Sequence, residues 1–393
     1  MQSVFMNWKR YFRLRHFLKT VRFLVADQFL PEYKRRDKSL VLVKTEAIGD
    51  YLLFRNFLEQ VKKSQKYHDY RITLVGNEAW KSLAEAWDST WVDDFIWINR
   101  KRFVDDADYR KSKLAEVRLE GASVVAQANY SREVIWGDSL VRASGSEQAW
   151  GSIGDAANDL PVFKNIADSW YSHLTAEPGI PLFEFDKNTA FFKQFLGIET
   201  DLQFPQTPDV WCKPAQMRIG LFPGAGEKIK QWPIANFIEL ARRLSEVHKE
   251  ASFLVLGGPD DFKLGEEIRM GLPQVKVENL CGKTSLPELS KLIAELSILI
   301  TNDSSAYHFA AASGTPQVCL LMGRHFGRFS PYPISRGKII EIYPERFQAY
   351  KQNPAECARI TQYGSPCTIE EIGLDAVLNA SLSLFKDEIS TAR

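Results

Sequence analysis

Short apolar runs alternate with amphipathic helical patterns along most of the chain, and this alternation restricts the possible folds more than any other feature. Because each helical crossover covers one face of the sheet beside it, such an alternation is typical of parallel sheets. We therefore predict an α/β protein of two Rossmann-like, doubly wound halves that face a cleft. The apolar runs lie at residues 39–43, 70–76, 95–98, 122–127, 218–222, 253–258, 298–302 and 317–321.

The stretch Pro205-Gln206-Thr207-Pro208 has the composition of a linker between the two halves. A chain of 393 residues has room for two or three domains. We predict an N-terminal domain over 39–205 and a C-terminal domain over 206–340. A helical extension over 341–393 is expected to return towards the N-terminal domain. Residues 140–190 are less regular in pattern and rich in Gly, Ser, Asp and Pro.

Residues 1–38 differ from the rest of the chain in charge. They hold ten Lys and Arg against three acids, a sum of +7, whereas the whole chain sums to +1. Their apolar residues recur at helical spacing, which predicts a basic amphipathic helix. Its apolar side is suited either to an anionic lipid surface or to packing on the body of the protein, and the sequence leaves both open. No apolar run in the sequence reaches the length of a membrane-spanning helix.

The composition argues against several classes of protein. The five cysteines form no CxxC pair, which disfavours a disulfide framework and a structural zinc site. A net charge near zero gives no general attraction to nucleic acid, and we expect no nucleic-acid partner. We expect a reducing compartment, the cytoplasm, and the basic arm leaves peripheral contact with the inner face of the cytoplasmic membrane open.

A glycine-rich loop, Pro223-Gly224-Ala225-Gly226, lies between a predicted strand and a predicted helix. Glycines at such a turn let backbone N–H groups approach an anion. Lys230, just before Trp232-Pro233, is placed to neutralise a diphosphate. The alternative is a solvated lysine beside an ordinary turn.

A second anion-binding candidate is Asn302-Asp303-Ser304-Ser305, where another strand ends and a helix begins. The serines offer hydroxyl and amide donors, and Asp303 is suited to cap the helix. His308 lies one helical turn beyond Ser304. An ordinary helix cap and a structural histidine are the alternatives here.

Carboxylates follow two further strands. Asp260 and Asp261 come after Gly257-Gly258-Pro259, a position from which carboxylates accept hydrogen bonds from a ribose. An exposed acidic loop is the alternative, more so for Asp260 than for Asp261. Asp50 lies at the Gly49 turn of the first half, where it could act as a base or cap a helix.

Together these segments resemble glycosyltransferase family 9, the ADP-heptose:lipopolysaccharide heptosyltransferases. The resemblance covers roughly 40–62 and 215–325. The segments that carry it are Ala47-Ile48-Gly49-Asp50, Pro223-Gly224-Ala225-Gly226, Lys230-x-Trp232-Pro233, Gly257-Gly258-Pro259, Asn279-Leu280-x-Gly282-Lys283-Thr284-Ser285-Leu286, and Asn302-Asp303-Ser304 with His308.

The resemblance implies a GT-B fold and an inverting, metal-independent transfer of a heptose or related sugar from an ADP-sugar to a lipid-linked glycan. No cofactor is implied. Asp50 and Lys230 are the implied catalytic residues, with Asp50 as the general base and Lys230 at the donor diphosphate. Asp261 is implied to contact the ribose. The other residues implied to bind the donor are Gly224, Ala225, Gly226, Gly282, Lys283, Asp303, Ser304, Ser305 and His308.

The chain departs from the family pattern in three places. Ser305 replaces a usual glycine, Lys44 a common arginine, and Glu46 a common small polar residue. Two alternatives therefore remain open: a transferase of the same fold that uses a UDP- or GDP-sugar, and a non-catalytic sugar-nucleotide-binding protein of envelope assembly.

Overall fold

The computed structural model describes residues 17–176, 183–353, 357, 360 and 365–390. The chain divides into two compact units. The first unit comprises Met1–Ala47, Phe57–Gly179 and Lys187–Thr200, and the second comprises Ile48–Asn56, Ile180–Asp186 and Asp201–Arg393.

The first unit contains a parallel sheet of six strands in the order β3-β2-β1-β4-β5-β6. This is the order of a doubly wound dinucleotide-binding sheet. Strand β1 is buried from its fourth residue onwards, as expected for a parallel sheet covered on both faces. The strands are β1 (Arg36–Lys44), β2 (Arg71–Asn77), β3 (Asp94–Ile98), β4 (Ala122–Gln127), β5 (Gln148–Ser152) and β6 (His173–Thr175).

The second unit repeats this arrangement with the order β12-β11-β10-β7-β8-β9, again parallel throughout. Read from its own first strand, β7, the order is the same as in the first unit. The strands are β7 (Arg218–Phe222), β8 (Ser252–Val255), β9 (Val277–Asn279), β10 (Ile298–Asn302), β11 (Gln317–Leu320) and β12 (Ile339–Ile342). The predicted pair of Rossmann-like α/β halves is thus confirmed.

Helices cover the faces of both sheets. They are α1 (residues 17–26), α2 (Ile48–Leu52), α3 (Asn56–Lys63), α4 (Lys81–Trp87), α5 (Arg100–Asp105), α6 (Ala107–Leu119), α7 (Ser139–Ser144), α8 (Pro161–Asp168), α9 (Glu184–Leu196), α10 (Ile234–Val247), α11 (Phe262–Met270), α12 (Leu286–Ala294), α13 (Ser305–Ser313), α14 (Glu345–Lys351) and α15 (Leu374–Ser390). None of the helices in the described ranges has the length and apolar character needed to span a bilayer.

Three structural features differ from the sequence-based expectations. The interval 140–190 contains β5, β6 and α8, whose short strands carry little periodicity. Strands β9 and β12 were also not predicted. The segment expected to return towards the N-terminal domain instead packs in the second unit, where Val377, Leu384 and Phe385 of α15 join the core of the second sheet.

The basic arm packs on the first unit where it is described. Phe23 of α1 is buried in a cluster with Phe163 and Ala167 of α8. Asp27, at the end of α1, forms a buried ion pair with Arg110 of α6 at 2.5 Å. The part of the predicted amphipathic helix before residue 17 lies outside the described residues.

Candidate functional site

Strand order reverses between β7 and β10 in the second sheet, and both predicted anion-binding loops begin at this point. Ligands of open α/β sheets bind where neighbouring connections leave the carboxyl ends of the strands in opposite directions. The loop after β7 begins at Pro223, and the loop after β10 begins at Asp303. Because β7 and β10 are neighbouring parallel strands, the two loops begin side by side.

Asn302, the buried last residue of β10, holds these loops together. Its Nδ2 donates to the carbonyl oxygen of Pro223 at 2.7 Å, and its Oδ1 accepts from the backbone N–H of Trp232 at 3.2 Å. Trp232 is itself buried and donates from Nε1 to the carbonyl of Ile372 at 2.9 Å. These bonds fix both ends of the segment that carries Lys230.

Lys230 and Asp303 form an ion pair across the two loops. Their Nζ and Oδ2 atoms are 2.9 Å apart, with side-chain exposures of 13% and 18%. Lys230 ends a single 3₁₀ turn, Lys228–Lys230, that follows the glycine loop. A partly desolvated ammonium held at a strand end is suited to bind a phosphate, because low local dielectric strengthens the attraction.

Helix α13 begins beside this ion pair. Ser304, rather than Asp303, is the N-cap: its side chain accepts from the backbone N–H of Ala306 at 3.3 Å. Asp303 is left to pair with Lys230. Ser305 is the first residue of the helix, so the amides of α13 add their positive end to the site.

Asp261 lies against the glycine loop. Its Oδ2 accepts from the backbone N–H of Gly258 at 2.9 Å, and burial raises the pKa of its carboxyl group. A Cβ atom at position 224 would lie 2.3 Å from Oδ2 of this carboxylate, so glycine at 224 lets the loop lie against Asp261 without displacing it. The structure thus joins the predicted ribose-binding acid to the predicted diphosphate loop.

The remaining predicted donor residues lie in the same unit. The backbone N–H of Gly282 donates to the carbonyl of Gly257 at 3.0 Å, which ties this turn to the strand end after β8. Lys283 lies over the ring of Phe262, with Nζ 5.9 Å from its centroid. Ala225 accepts from Gln231 Nε2 at 3.5 Å, and Gly226 has open space where a Cβ would project.

Asp50 belongs to a segment, 48–56, that groups with the second unit although it lies in the first half of the sequence. The predicted N-terminal domain, 39–205, included this segment. Arg55 Nη1 donates to the carbonyl of Gln206 at 2.8 Å, and Asn56 Oδ1 accepts from the Gln206 N–H at 2.8 Å. The predicted base and the predicted diphosphate site are therefore parts of one compact unit.

His308 is buried and packs against Gly49, the residue before Asp50. Its Nδ1 is 2.7 Å from the hydroxyl oxygen of Tyr332. Burial lowers the pKa of the imidazole to about 4, so the ring is neutral near pH 7.

The loop after β11 carries charged residues that were not among the predicted site residues. Arg324 pairs with Glu227, at the start of the Lys230 turn, at 2.7 Å. Arg328 pairs with buried Glu184 at 2.8 Å. Burial, followed by the charge of Lys230, lowers the pKa of His325 to about 4. The sequence feature that could have indicated these residues is the pattern Arg-His-x-x-Arg at 324–328, shortly after an apolar strand.

The first sheet also has polar groups at its reversal point. Buried Lys44, at the end of β1, lies 3.0 Å from Oδ1 of Asn129 and 3.6 Å from Oε2 of Glu46. Asn129 Nδ2 in turn donates to Glu46. Lys44 and Glu46, two departures from the family pattern, are thus partners, and the Glu46 carboxylate offsets the buried lysine charge.

A family model described as "Glycosyltransferase family 9 (heptosyltransferase)" matches residues 180–358. Lipooligosaccharide heptosyltransferase 2 of Haemophilus influenzae is 33% identical over 193 residues, which are 47% of this chain and 47% of that protein. The match therefore spans about half the length of this curated relative.

Two solved structures share the fold over most of their length. A family 9 glycosyl transferase from Veillonella parvula aligns with a TM-score of 0.67 and 18% identity over 89% of this chain and 98% of that chain. The ADP-heptose lipopolysaccharide heptosyltransferase II of E. coli gives 0.61 and 17% over 89% and 99%. With the two parallel sheets, these similarities confirm the predicted GT-B type of fold.

Proposed function

We propose, on the premise that this chain belongs to glycosyltransferase family 9 through residues 180–358, that it transfers a heptose or related sugar from an ADP-sugar to a lipopolysaccharide core or similar lipid-linked glycan. The observation that carries the proposal is the convergence of Lys230, Asp303 and the first turn of α13 at the reversal point of the second sheet. The E. coli structure named for ADP-heptose supports the choice of donor.

The donor diphosphate would lie between the glycine loop and the start of α13. Lys230 would turn from Asp303 to the phosphates, while the amides of Gly224 to Gly226 and of Ser304 and Ser305 donate to their oxygens. Asp261 would accept from the ribose hydroxyls. The partial burial of these groups makes each charge interaction stronger than in bulk water.

In the transfer step, an acceptor hydroxyl oxygen bonds to the anomeric carbon as the bond from that carbon to the diphosphate breaks. Asp50 takes the hydroxyl proton, and ADP leaves with the electron pair of the broken bond. Attack opposite the leaving group inverts the anomeric centre. Lys230 and the α13 amides stabilise the charge that develops on the diphosphate, and such preorganised donors each contribute about 3–4 kcal/mol.

A panel of sugar nucleotides tests this function with the full-length protein. We expect release of ADP from an ADP-heptose, in the presence of lipopolysaccharide core acceptors, at a rate that EDTA does not change. Release of UDP or GDP instead would assign a different donor. Binding of ADP without release of product from any donor would favour the non-catalytic alternative.

Replacement of Asp50 by Asn tests its role as the base. We expect turnover to fall by about two orders of magnitude or more, because the amide cannot accept the proton, while the dissociation constant of ADP changes little. Wild-type turnover in this variant would remove Asp50 from the mechanism. Asp375→Asn, which changes an exposed carboxylate at the start of α15 in the same unit, is a matched control that should keep most of the turnover.

We also propose that the first unit touches an anionic membrane surface, at the inner leaflet where a lipid-linked acceptor would be met. While α1 buries Phe23, it exposes an opposite apolar face formed by Leu18, Val21 and Val25, with Phe29 just beyond it at 72% exposure. Arg22 is exposed on the same helix. An exposed apolar face with basic neighbours is the pattern of an interfacial helix.

A further inference from the structure

We infer that His308 is a positioning residue for the reaction: its buried ring seats the Gly49-Asp50 turn against helix α13, whose first turn forms the diphosphate site. This inference rests on the proposed function, since it gives Asp50 the role of the base. It also makes a statement about packing that can be tested without any substrate.

The first support is the fit between the ring and Gly49. A Cβ atom placed on Gly49 would lie 2.7 Å from Cδ2 of His308 and 3.1 Å from its Nε2. Gly49 does not have a positive φ, so its backbone conformation is one that alanine also adopts. The three heavy atoms nearest to such a Cβ all belong to the imidazole, which means that the turn and the ring are in close contact.

The second support is the way in which the ring itself is held. Tyr332 binds Nδ1 of His308 at 2.7 Å, and the backbone N–H of Tyr332 donates to Oε1 of Glu341 at 3.1 Å. The hydroxyl of Tyr307, the residue before His308, donates to the same carboxylate. Glu341 on β12 thus fixes both neighbours of the imidazole.

The third support is the position of His308 along α13. The helix is anchored at its start by the Ser304 cap and lies beside the Lys230–Asp303 ion pair. One turn later it presents His308 to Gly49. A single rigid helix therefore relates the leaving-group site to the turn that bears Asp50, and positional errors of about 1 Å between reacting groups cost about a hundredfold in rate.

Burial keeps the imidazole neutral, as its lowered pKa indicates. A neutral ring whose Nδ1 is hydrogen-bonded to Tyr332 and whose other edge lies against Gly49 is suited to hold the Gly49-Asp50 turn in place. A residue that acts on the turn in this way should affect turnover more than donor binding.

His308→Ala is the primary test, with amide hydrogen exchange, ADP binding and turnover measured on the full chain. We expect faster exchange over 48–55, turnover reduced about a hundredfold, and an ADP dissociation constant within about twofold of wild type. Unchanged exchange would overturn the inference. So would a loss of ADP affinity equal to the loss of turnover, which would instead make His308 a donor contact.

A double-mutant cycle shows whether the effect passes through this contact. Gly49→Ala should reduce turnover in the wild-type background but have much less effect once His308→Ala has removed the ring. Strictly additive effects would overturn the inference. His248→Ala, which removes another imidazole of the same unit that packs on Phe385, controls for general destabilisation and should keep wild-type exchange over 48–55.

The exchange measurement separates failure of this inference from failure of the proposed function. If no sugar nucleotide is turned over by the wild-type protein, the function fails, while the exchange rates of 48–55 still decide whether His308 seats the turn. If transfer occurs and exchange does not respond to His308→Ala, only the inference fails.

Discussion

At the scale of single residues, Lys230 is the cation proposed to bind the donor diphosphate, and its neighbours hold it in place. Asp303 holds its ammonium group in the free protein, and Asn302 fixes the backbone on either side. In the proposed function, a phosphate that takes the place of Asp303 would meet a lysine already oriented, so that little side-chain entropy would be lost on binding.

We expect Lys230→Ala to raise the ADP dissociation constant about ten- to a hundredfold, since charged hydrogen bonds contribute about 1.5–3 kcal/mol. Calorimetry at fixed ionic strength measures this change. Lys228→Ala, on the same 3₁₀ turn but exposed, is the matched control and should bind ADP as the wild type does. Equal affinity in the two variants would contradict the role of Lys230.

Glu133 gives the first unit a pH dependence. Burial raises the pKa of its carboxyl group from about 4.5 to about 7, although Arg100 lies 3.8 Å away and opposes the shift. The folded state holds this proton more tightly than the unfolded chain does. The contribution of Glu133 to the free energy of unfolding is therefore fully present below about pH 4.5 and is lost as the pH rises through about 7.

Glu133→Gln should therefore gain stability relative to wild type as the pH rises from 5 to 8, by about 1–3 kcal/mol at the upper end. Denaturant unfolding at the two pH values measures the difference. The control is Glu32→Gln, an exposed carboxylate of the same unit. A constant difference across this range would show that Glu133 does not titrate as described.

At the scale of elements, local sequence signals located several boundaries well. Ser285 and Glu288 have the spacing of a capping box, and the structure forms one at the start of α12. Ser285 N–H donates to Glu288 at 2.8 Å, and Glu288 N–H donates to the Ser285 hydroxyl at 3.4 Å. The strands at 218–222 and 298–302 match their apolar runs. Strand β9 has only three residues, too few for a recognisable period.

We expect Ser285→Ala to lower the free energy of unfolding by about 1 kcal/mol, the usual contribution of an N-cap. Urea unfolding of the second unit measures it. Ser383→Ala, at an exposed interior position of α15, should be neutral or slightly stabilising because alanine favours helix. Equal effects of the two substitutions would mean that the cap contributes nothing.

At the scale of the whole molecule, charge is distributed unevenly: the first 38 residues sum to +7 and the remainder to −6. The packed-helix and lipid-surface interpretations of this arm are compatible, because α1 buries one face and exposes another. Helix α8 extends the exposed apolar surface: its Phe163 ring lies 5.2 Å from that of Phe17, and it leaves Val162 and Ile166 exposed.

We expect Val21→Glu combined with Val25→Glu to reduce sedimentation with anionic vesicles at least severalfold, because it removes apolar area and adds repulsion at the lipid surface. Vesicles of neutral lipid should bind both proteins weakly. The control, Val247→Glu, alters an exposed apolar residue at the end of α10 in the second unit. Equal sedimentation of all three proteins would contradict the proposed surface.

The amino-acid sequence alone determined the α/β class, most strands, the positions of the two candidate anion-binding loops and their family resemblance. These follow from side-chain periodicity and turn chemistry, which act over a few neighbouring residues. Only the tertiary structure decided that Lys230 pairs with Asp303, that segment 48–56 joins the second unit, and that His308 meets Gly49. Such contacts join residues far apart in the chain, and they depend on strand order and packing, which local patterns do not encode.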